Sequence, residues 1–159
     1  MRLALAVTTA VLATSGALPK AGVLVPARSL AGIQLGESPA QVRAALGPFY
    51  GACKECALPT WYFTYGRWQQ SGLAVELVGH RVSGVYTVWN PAGWHTPSGL
   101  QLGAVEAQVT QLAKPRFTIA CPGYTAYAND SGGARTVYYV YDGKLWGFGL
   151  FTHGSDPCK

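Results

Sequence analysis

Charge is scarce in this chain: only 12% of its 159 residues are charged, and just seven are acidic. So few carboxylates leave little material for paired-acid catalysis. Glu76, Glu106 and Asp142 each have a plain place, on a strand surface, in a helix first turn and in a hairpin turn. Basic residues never gather into a run. Lys20, Arg28, Arg43, Lys54, Arg67, Arg81, Lys114, Arg116, Arg135 and Lys144 are scattered, so the net charge of +5 forms no stripe for nucleic acid. No apolar run reaches the roughly 20 residues of a bilayer span. A nucleophile elbow and a Cys/His pair are also missing. His80, His95 and His153 fall in a turn, a linker and the tail, with no carboxylate at ligand spacing. These absences predict no catalytic residue, no metal and no cofactor, and leave a small secreted hydrolase only as a weaker alternative. The run Asp130-Ser131-Gly132-Gly133 reads as a loop, its turn residues needing no phosphate to explain them.

What is present is apolar and glycine-rich. With 49% hydrophobic residues, 20 Gly and 5 Trp, the chain reads as a folded, sheet-rich protein with many tight turns. It begins Met1-Arg2, runs apolar from Leu3 to about Ala13, then turns small at Thr14-Ser15-Gly16-Ala17. That order is a secretory signal over residues 1–17, predicting bacterial export and a secreted or cell-envelope product without a membrane span after cleavage. About 140 residues then remain, the size of one domain.

The four cysteines, Cys53, Cys56, Cys121 and Cys158, are an even number in an exported chain, which favours two disulfides over metal or free thiols. Three connectivities are possible. Cys53–Cys56 with Cys121–Cys158 is preferred, because the second bridge would staple the tail and close a loop worth roughly 4 kcal/mol. A thiol-enzyme reading of Cys53-x-x-Cys56 is the alternative, but Pro59 and the strand-like residues 60–65 leave no room for the helix that would activate a thiolate.

Residues 32–48, GIQLGESPAQVRAALGP, match residues 99–115, GLQLGAVEAQVTQLAKP, at an offset of 67. The match predicts one block used twice: a mature leader over 18–31, a first repeat over 32–90 and a second over 91–159. Ser38 caps a predicted helix that starts at Pro39, buries Val42 and Leu46 and stops at Gly47-Pro48. Its counterpart has Glu106 in the first turn, Val105, Val109 and Leu112 at helical spacing, and Lys114-Pro115 as its stop. Aromatic and β-branched residues then predict strands over 60–66, 72–78 and 81–90, and over 123–128, 135–141 and 144–152. Gly79-His80 and Asp142-Gly143 read as two-residue hairpin turns. The expected fold class is α+β, two tandem helix-plus-antiparallel-strand repeats forming one sheet with the helices packed on one face.

Two-residue turns fix cross-strand partners, and period-2 alternation fixes faces. On this basis Leu77/Val82, Val75/Gly84 and Leu73/Tyr86 share a buried face, while Glu76/Ser83, Ala74/Val85 and Gln70/Trp89 share a solvent face. The same phase in the second hairpin buries Tyr138, Val140 and Leu145. It exposes Arg135, Tyr139, Tyr141, Lys144, Trp146 and Phe148. An open face carrying Trp89 and these residues has the composition of a protein-binding surface.

The helix motif, Ile33, Leu35, Gly36, Ser38, Gln41, Val42, Leu46, Gly47 and Pro48, resembles that of the small outer-membrane lipoprotein A family and the related β-lactamase inhibitory protein family. Over roughly residues 29–152 the resemblance implies helix blocks followed by antiparallel strands, and an inhibitor-like module that holds a partner against an aromatic sheet face. Glu37 stands where those families usually have an apolar residue, the second copy lacks the Ser cap and closing Gly, and the cysteine positions differ from the inhibitor's. The expected function is therefore a non-enzymatic protein-binding module with an unnamed partner. Binding to peptidoglycan or another envelope component is the alternative.

Overall fold

A computed structural model describes residues 22–53, 55–66 and 69–159, without the side chains of residues 64–71. The signal over 1–17 and the start of the leader lie outside the described residues. Two short strands, β1 (Leu24–Val25) and β2 (Ser29–Leu30), form a ribbon. Helix α1 (Pro39–Leu46) precedes β3 (Gly51–Cys53), β4 (Thr60–Gly66), β5 (Gln69–Val78) and β6 (Arg81–Val88). Helix α2 (Glu106–Ala113) precedes β7 (Phe117–Cys121), β8 (Tyr124–Ser131), β9 (Ala134–Tyr141) and β10 (Lys144–Thr152). Strands β3 to β10 make one antiparallel sheet in the order β3-β4-β5-β6-β10-β9-β8-β7.

This corrects the fold class. The protein is mostly β, 47% strand and 12% helix, rather than an α+β fold of two helix-plus-strand repeats. Each helix is only eight residues, about two turns, and contributes little to the core: α1 buries Val42 and Leu46, α2 buries Val109 alone. Val105 and Leu112 are exposed. Strand, by contrast, is more extensive than the residue pattern predicts, because β3 and β7 add edges that the sequence does not announce.

Local signals at the helix starts hold. Ser38 and Gln41 form a capping box: the Gln41 N–H donates to Ser38 Oγ, and the Ser38 N–H donates to Gln41 Oε1 at 2.9 Å. Val105, at the start of α2, supplies no such cap. There the Glu106 carboxylate sits in the first turn and accepts a short hydrogen bond from the Tyr127 hydroxyl. The hairpin turns also hold: Gly79-His80 and Asp142-Gly143 all have positive φ, the conformation that matches strand twist.

Both faces of the sheet carry a core. On the helix side, Leu73, Val75, Leu77, Val82, Val85, Tyr138, Val140, Leu145, Phe148 and Leu150 pack with Val42, Leu46, Val109, Trp94 and the ribbon residues Leu24 and Leu30. On the opposite side, Ala74, Tyr86, Ala126, Ala128, Val137, Tyr139 and Phe151 form a second cluster with Cys121. The second face is therefore not the solvent face that strict alternation predicts.

Two β-bulges account for the errors of phase. Leu77 pairs with Val82 as expected, but Glu76 pairs with Gly84, leaving Ser83 as an extra residue. Beyond it every β6 residue is one place out of the expected register, so Val85 turns to the helix side and Tyr86 to the other. In the second hairpin Leu145 pairs with Val140 and Gly147 with Tyr139, leaving Trp146 extra. Phe148 then faces Tyr138 inside the helix-side core, fully buried and edge-on to its ring. The bulged backbone is satisfied across the sheet, since the Phe148 N–H donates to Thr87 Oγ1 at 2.8 Å.

Candidate functional site

At the β6–β10 seam, glycine faces ring in both directions: Gly84 lies opposite Phe151 and Gly149 opposite Tyr86. A Cβ on Gly149 would stand 2.5 Å from the Phe151 ring and 2.8 Å from the Tyr139 hydroxyl. One on Gly84 would stand 2.7 Å from the Phe151 ring and 2.9 Å from a Glu76 carboxylate oxygen. The missing side chains make room for rings to lie across the strands. Beside them opens a groove of about 640 Å³, lined by Tyr62, Tyr86, Thr87, Val88, Trp89, Tyr139, Trp146 and Lys159. Its volume is that of an ordinary ligand site, and its walls are aromatic.

Trp89 marks the mouth of the groove. It is 64% exposed although it is the largest kind of apolar side chain, and it and Asn90 both have left-handed backbone, with φ of 57° and 46°. Non-glycine residues in that region cost free energy and concentrate where function holds them. Trp146, the bulged residue, stands edge-on to Tyr124 and tilted against Tyr139. Its buried Nε1–H meets no acceptor among the described residues. Such a donor gains from a ligand that brings an oxygen.

The chain's own tail covers part of this face. Both expected disulfides form, Cys53–Cys56 and Cys121–Cys158. The second brings residues 157–159 over the rings. The Tyr139 hydroxyl donates to the Pro157 carbonyl at 2.7 Å, and the Tyr124 hydroxyl to that of Lys159 at 2.8 Å. Lys159 Nζ reaches Glu76 Oε1 at 2.8 Å and lies 5.4 Å from the Tyr86 ring centre and 5.0 Å from that of Phe151. Burial, aided by the neighbouring Tyr62 phenol, pushes the Tyr86 hydroxyl far above its ordinary pKa, and burial does the same to Tyr139.

Of the residues predicted to bind a partner, Trp89, Tyr139 and Trp146 come together on the groove, though Tyr139 is 1% exposed. Tyr141 and Lys144 are exposed at the β9–β10 hairpin and do not line it. Arg135 makes a two-pronged pair with Asp130 at 2.8 and 3.0 Å and covers the Phe117 ring. That guanidinium, with His153 alongside, holds the Asp130 carboxyl below its usual range. Phe148 is core. Sequence reasoning missed Tyr62, Tyr86, Thr87, Val88 and Lys159. The bulge at Ser83 hid Tyr86, and nothing in the sequence but the neighbouring Cys158 pointed to Lys159. Among the described residues no group of three or more His, Cys, Asp or Glu is placed to hold a metal, and no helix is long and apolar enough to cross a membrane.

No family model matches the chain, and no curated protein sequence does. Among solved structures, it is similar to a DUF4309 family protein (YjgB) from Bacillus subtilis, with TM-score 0.55 and 16% identity over 76% of this chain and 82% of that one. It is also similar to an extracellular protein containing a SCP domain from Bacillus anthracis, with TM-score 0.51 and 9% identity over 75% of this chain. The match spans 44% of that second protein. At such identities the likeness is one of fold. Neither is described as a β-lactamase inhibitory protein or a small outer-membrane lipoprotein.

Proposed function

We propose that this protein is an exported, non-enzymatic binding module that seats an apolar or aromatic side chain of a protein partner in the groove beside Trp89. The observation that carries this reading is the groove itself, a 640 Å³ recess walled by Tyr62, Tyr86, Val88, Trp89, Tyr139 and Trp146. Rings of this kind supply large contact area for little lost rotamer entropy, and Tyr and Trp dominate the energetics of protein interfaces. The exposed Trp89 at the rim and the Trp146 N–H, which meets no acceptor among the described residues, suit a peptide segment, which offers a side chain for the recess and a carbonyl oxygen for the donor. The two disulfides support an oxidising compartment, as the predicted leader does.

The test starts from the tagged chain without residues 1–17, cross-linked in the secreted and envelope fractions of the producing cell. One protein captured by the wild type, and at least tenfold less by Trp89→Ala at unchanged circular dichroism, supports the reading. Capture indifferent to Trp89 overturns it. Retention on purified peptidoglycan, competed by saccharide, would assign the rings to sugar stacking instead.

A further inference from the structure

A carboxylate among aromatic rings on a sheet face is an expensive thing to bury, and Glu76 is buried there with its side chain only 7% exposed. Strand alternation puts it between Ala74 and the hairpin, where an apolar residue would suffice. Gly84 opposite makes room for it, since any Cβ there would press on its Oε2. Around the ammonium that pairs with it, Lys159 Nζ, stand the faces of Tyr86 and Phe151. One carboxylate and two ring faces are the elements of an ammonium receptor: the anion takes an N–H, and the rings' negative faces take the remaining charge.

The present occupant of that receptor is Lys159. It arrives on a segment beyond the last strand, held by a disulfide at Cys158, by the Tyr139 hydroxyl on Pro157 and by the Tyr124 hydroxyl on its own carbonyl. It is also a wall of the open groove, so the cage and the groove are continuous. A lysine supplied by the tail can be replaced by a lysine supplied from outside without rebuilding any strand.

We infer that Glu76, Tyr86 and Phe151 form a receptor for the ammonium of a partner's lysine side chain, and that Lys159 is a tethered stand-in which the partner displaces. This deepens the binding-module reading and rests on it, by naming the chemistry of the segment that lies in the groove: an apolar anchor against Trp89 with a lysine next to it. The tether raises the effective concentration of Lys159, so the free site favours its own tail until a second contact, in the groove, adds to the competitor's affinity.

Titrating Nα-acetyl-lysine methylamide into the folded protein, followed by tryptophan fluorescence and by chemical shifts of the Tyr86 and Phe151 rings, tests the inference. Lys159→Gln should bind the probe at least tenfold more tightly than wild type, should not bind its Nε-acetylated form, and should lose the gain when Glu76→Gln is added. The double variant Cys121→Ser/Cys158→Ser, which frees the tail but keeps every groove residue, should fall between the two. A folded Lys159→Gln that takes up no amine, or takes it up independently of Glu76, overturns the proposal. So does loss of the native circular dichroism in both Lys159→Gln and the untethered variant, which would make the ion pair purely structural. Capture of a partner that depends on Trp89 but not on Glu76 would overturn the ammonium receptor and leave the binding module standing.

Discussion

Three tyrosines show how burial decides a residue's chemistry. Tyr86, Tyr138 and Tyr139 are all buried, and burial disfavours the phenolate. Tyr138 is pushed up to about 12. In the unfolded chain the same phenols ionise near 10. A folded-state pKa above the unfolded one contributes stability that is complete below about pH 10 and is lost as pH rises through the folded value. The protein should therefore lose stability from about pH 10 upward. Its ultraviolet phenolate titration should show a set of tyrosines that ionise only as the circular dichroism collapses; full ionisation with the fold intact would contradict the burial. The seam glycines act at the same scale. Gly149→Ala would drive a methyl into Phe151 and Tyr139, and overpacking of this kind costs about 1–3 kcal/mol. Urea denaturation should register that loss at Gly149, and none of that size at Gly51, where nothing stands within 4 Å of the added carbon.

At the scale of the element, the bulges decide which residues meet. Deleting Ser83 would leave Glu76 opposite Gly84 and Val75 opposite Val85, so Val85 would keep its place in the helix-side core and β6 would lose only the local kink and extra twist of the bulge. That deletion should therefore leave urea unfolding cooperative, and Ser83→Ala, which keeps the extra residue and removes only a long 3.4 Å hydrogen bond to the Glu76 carbonyl, should cost no more than about 1 kcal/mol. The helix starts differ in the same local way. Ser38→Ala removes the cap that satisfies the Gln41 N–H and should cost about 1 kcal/mol, read as a shift in the urea midpoint without a change in slope. Val105→Ala has no cap to lose. The hairpin turns, the Ser38 cap and the end of α1 were legible in the sequence because each depends on residues within a few positions of one another. The bulges were not, since an extra residue in a strand carries no composition of its own.

Across the whole molecule, the sheet is held together at two levels. The β6–β10 seam joins its halves through backbone pairing and the interlocked Gly84/Phe151 and Tyr86/Gly149 positions. The Cys121–Cys158 bridge then ties the tail to β7 over the second core, closing a span of 37 residues, while Cys53–Cys56 closes a span of 3. Chain entropy assigns about 4 kcal/mol to the longer loop and about 2 kcal/mol to the shorter. Calorimetry of Cys121→Ser/Cys158→Ser and of Cys53→Ser/Cys56→Ser should find the first pair of substitutions the more destabilising. The reverse order would mean that the tail contributes little to the second core.

The sequence by itself determined that the four cysteines form two disulfides, with the observed pairing preferred among three, the helix boundaries to within a residue, most strand positions, and the grouping of the aromatic residues Trp89, Tyr139 and Trp146. All of these rest on short-range rules: caps, turns, alternation and cysteine parity. The tertiary structure alone decided that the fold is mostly β, that the second face has a core of its own, that Phe148 is inside, and that Lys159 sits against Glu76. Each depends on groups far apart in the chain that meet only when the sheet closes at β6–β10 and the tail is drawn across it. Local residue patterns carry no record of which distant surface will cover them.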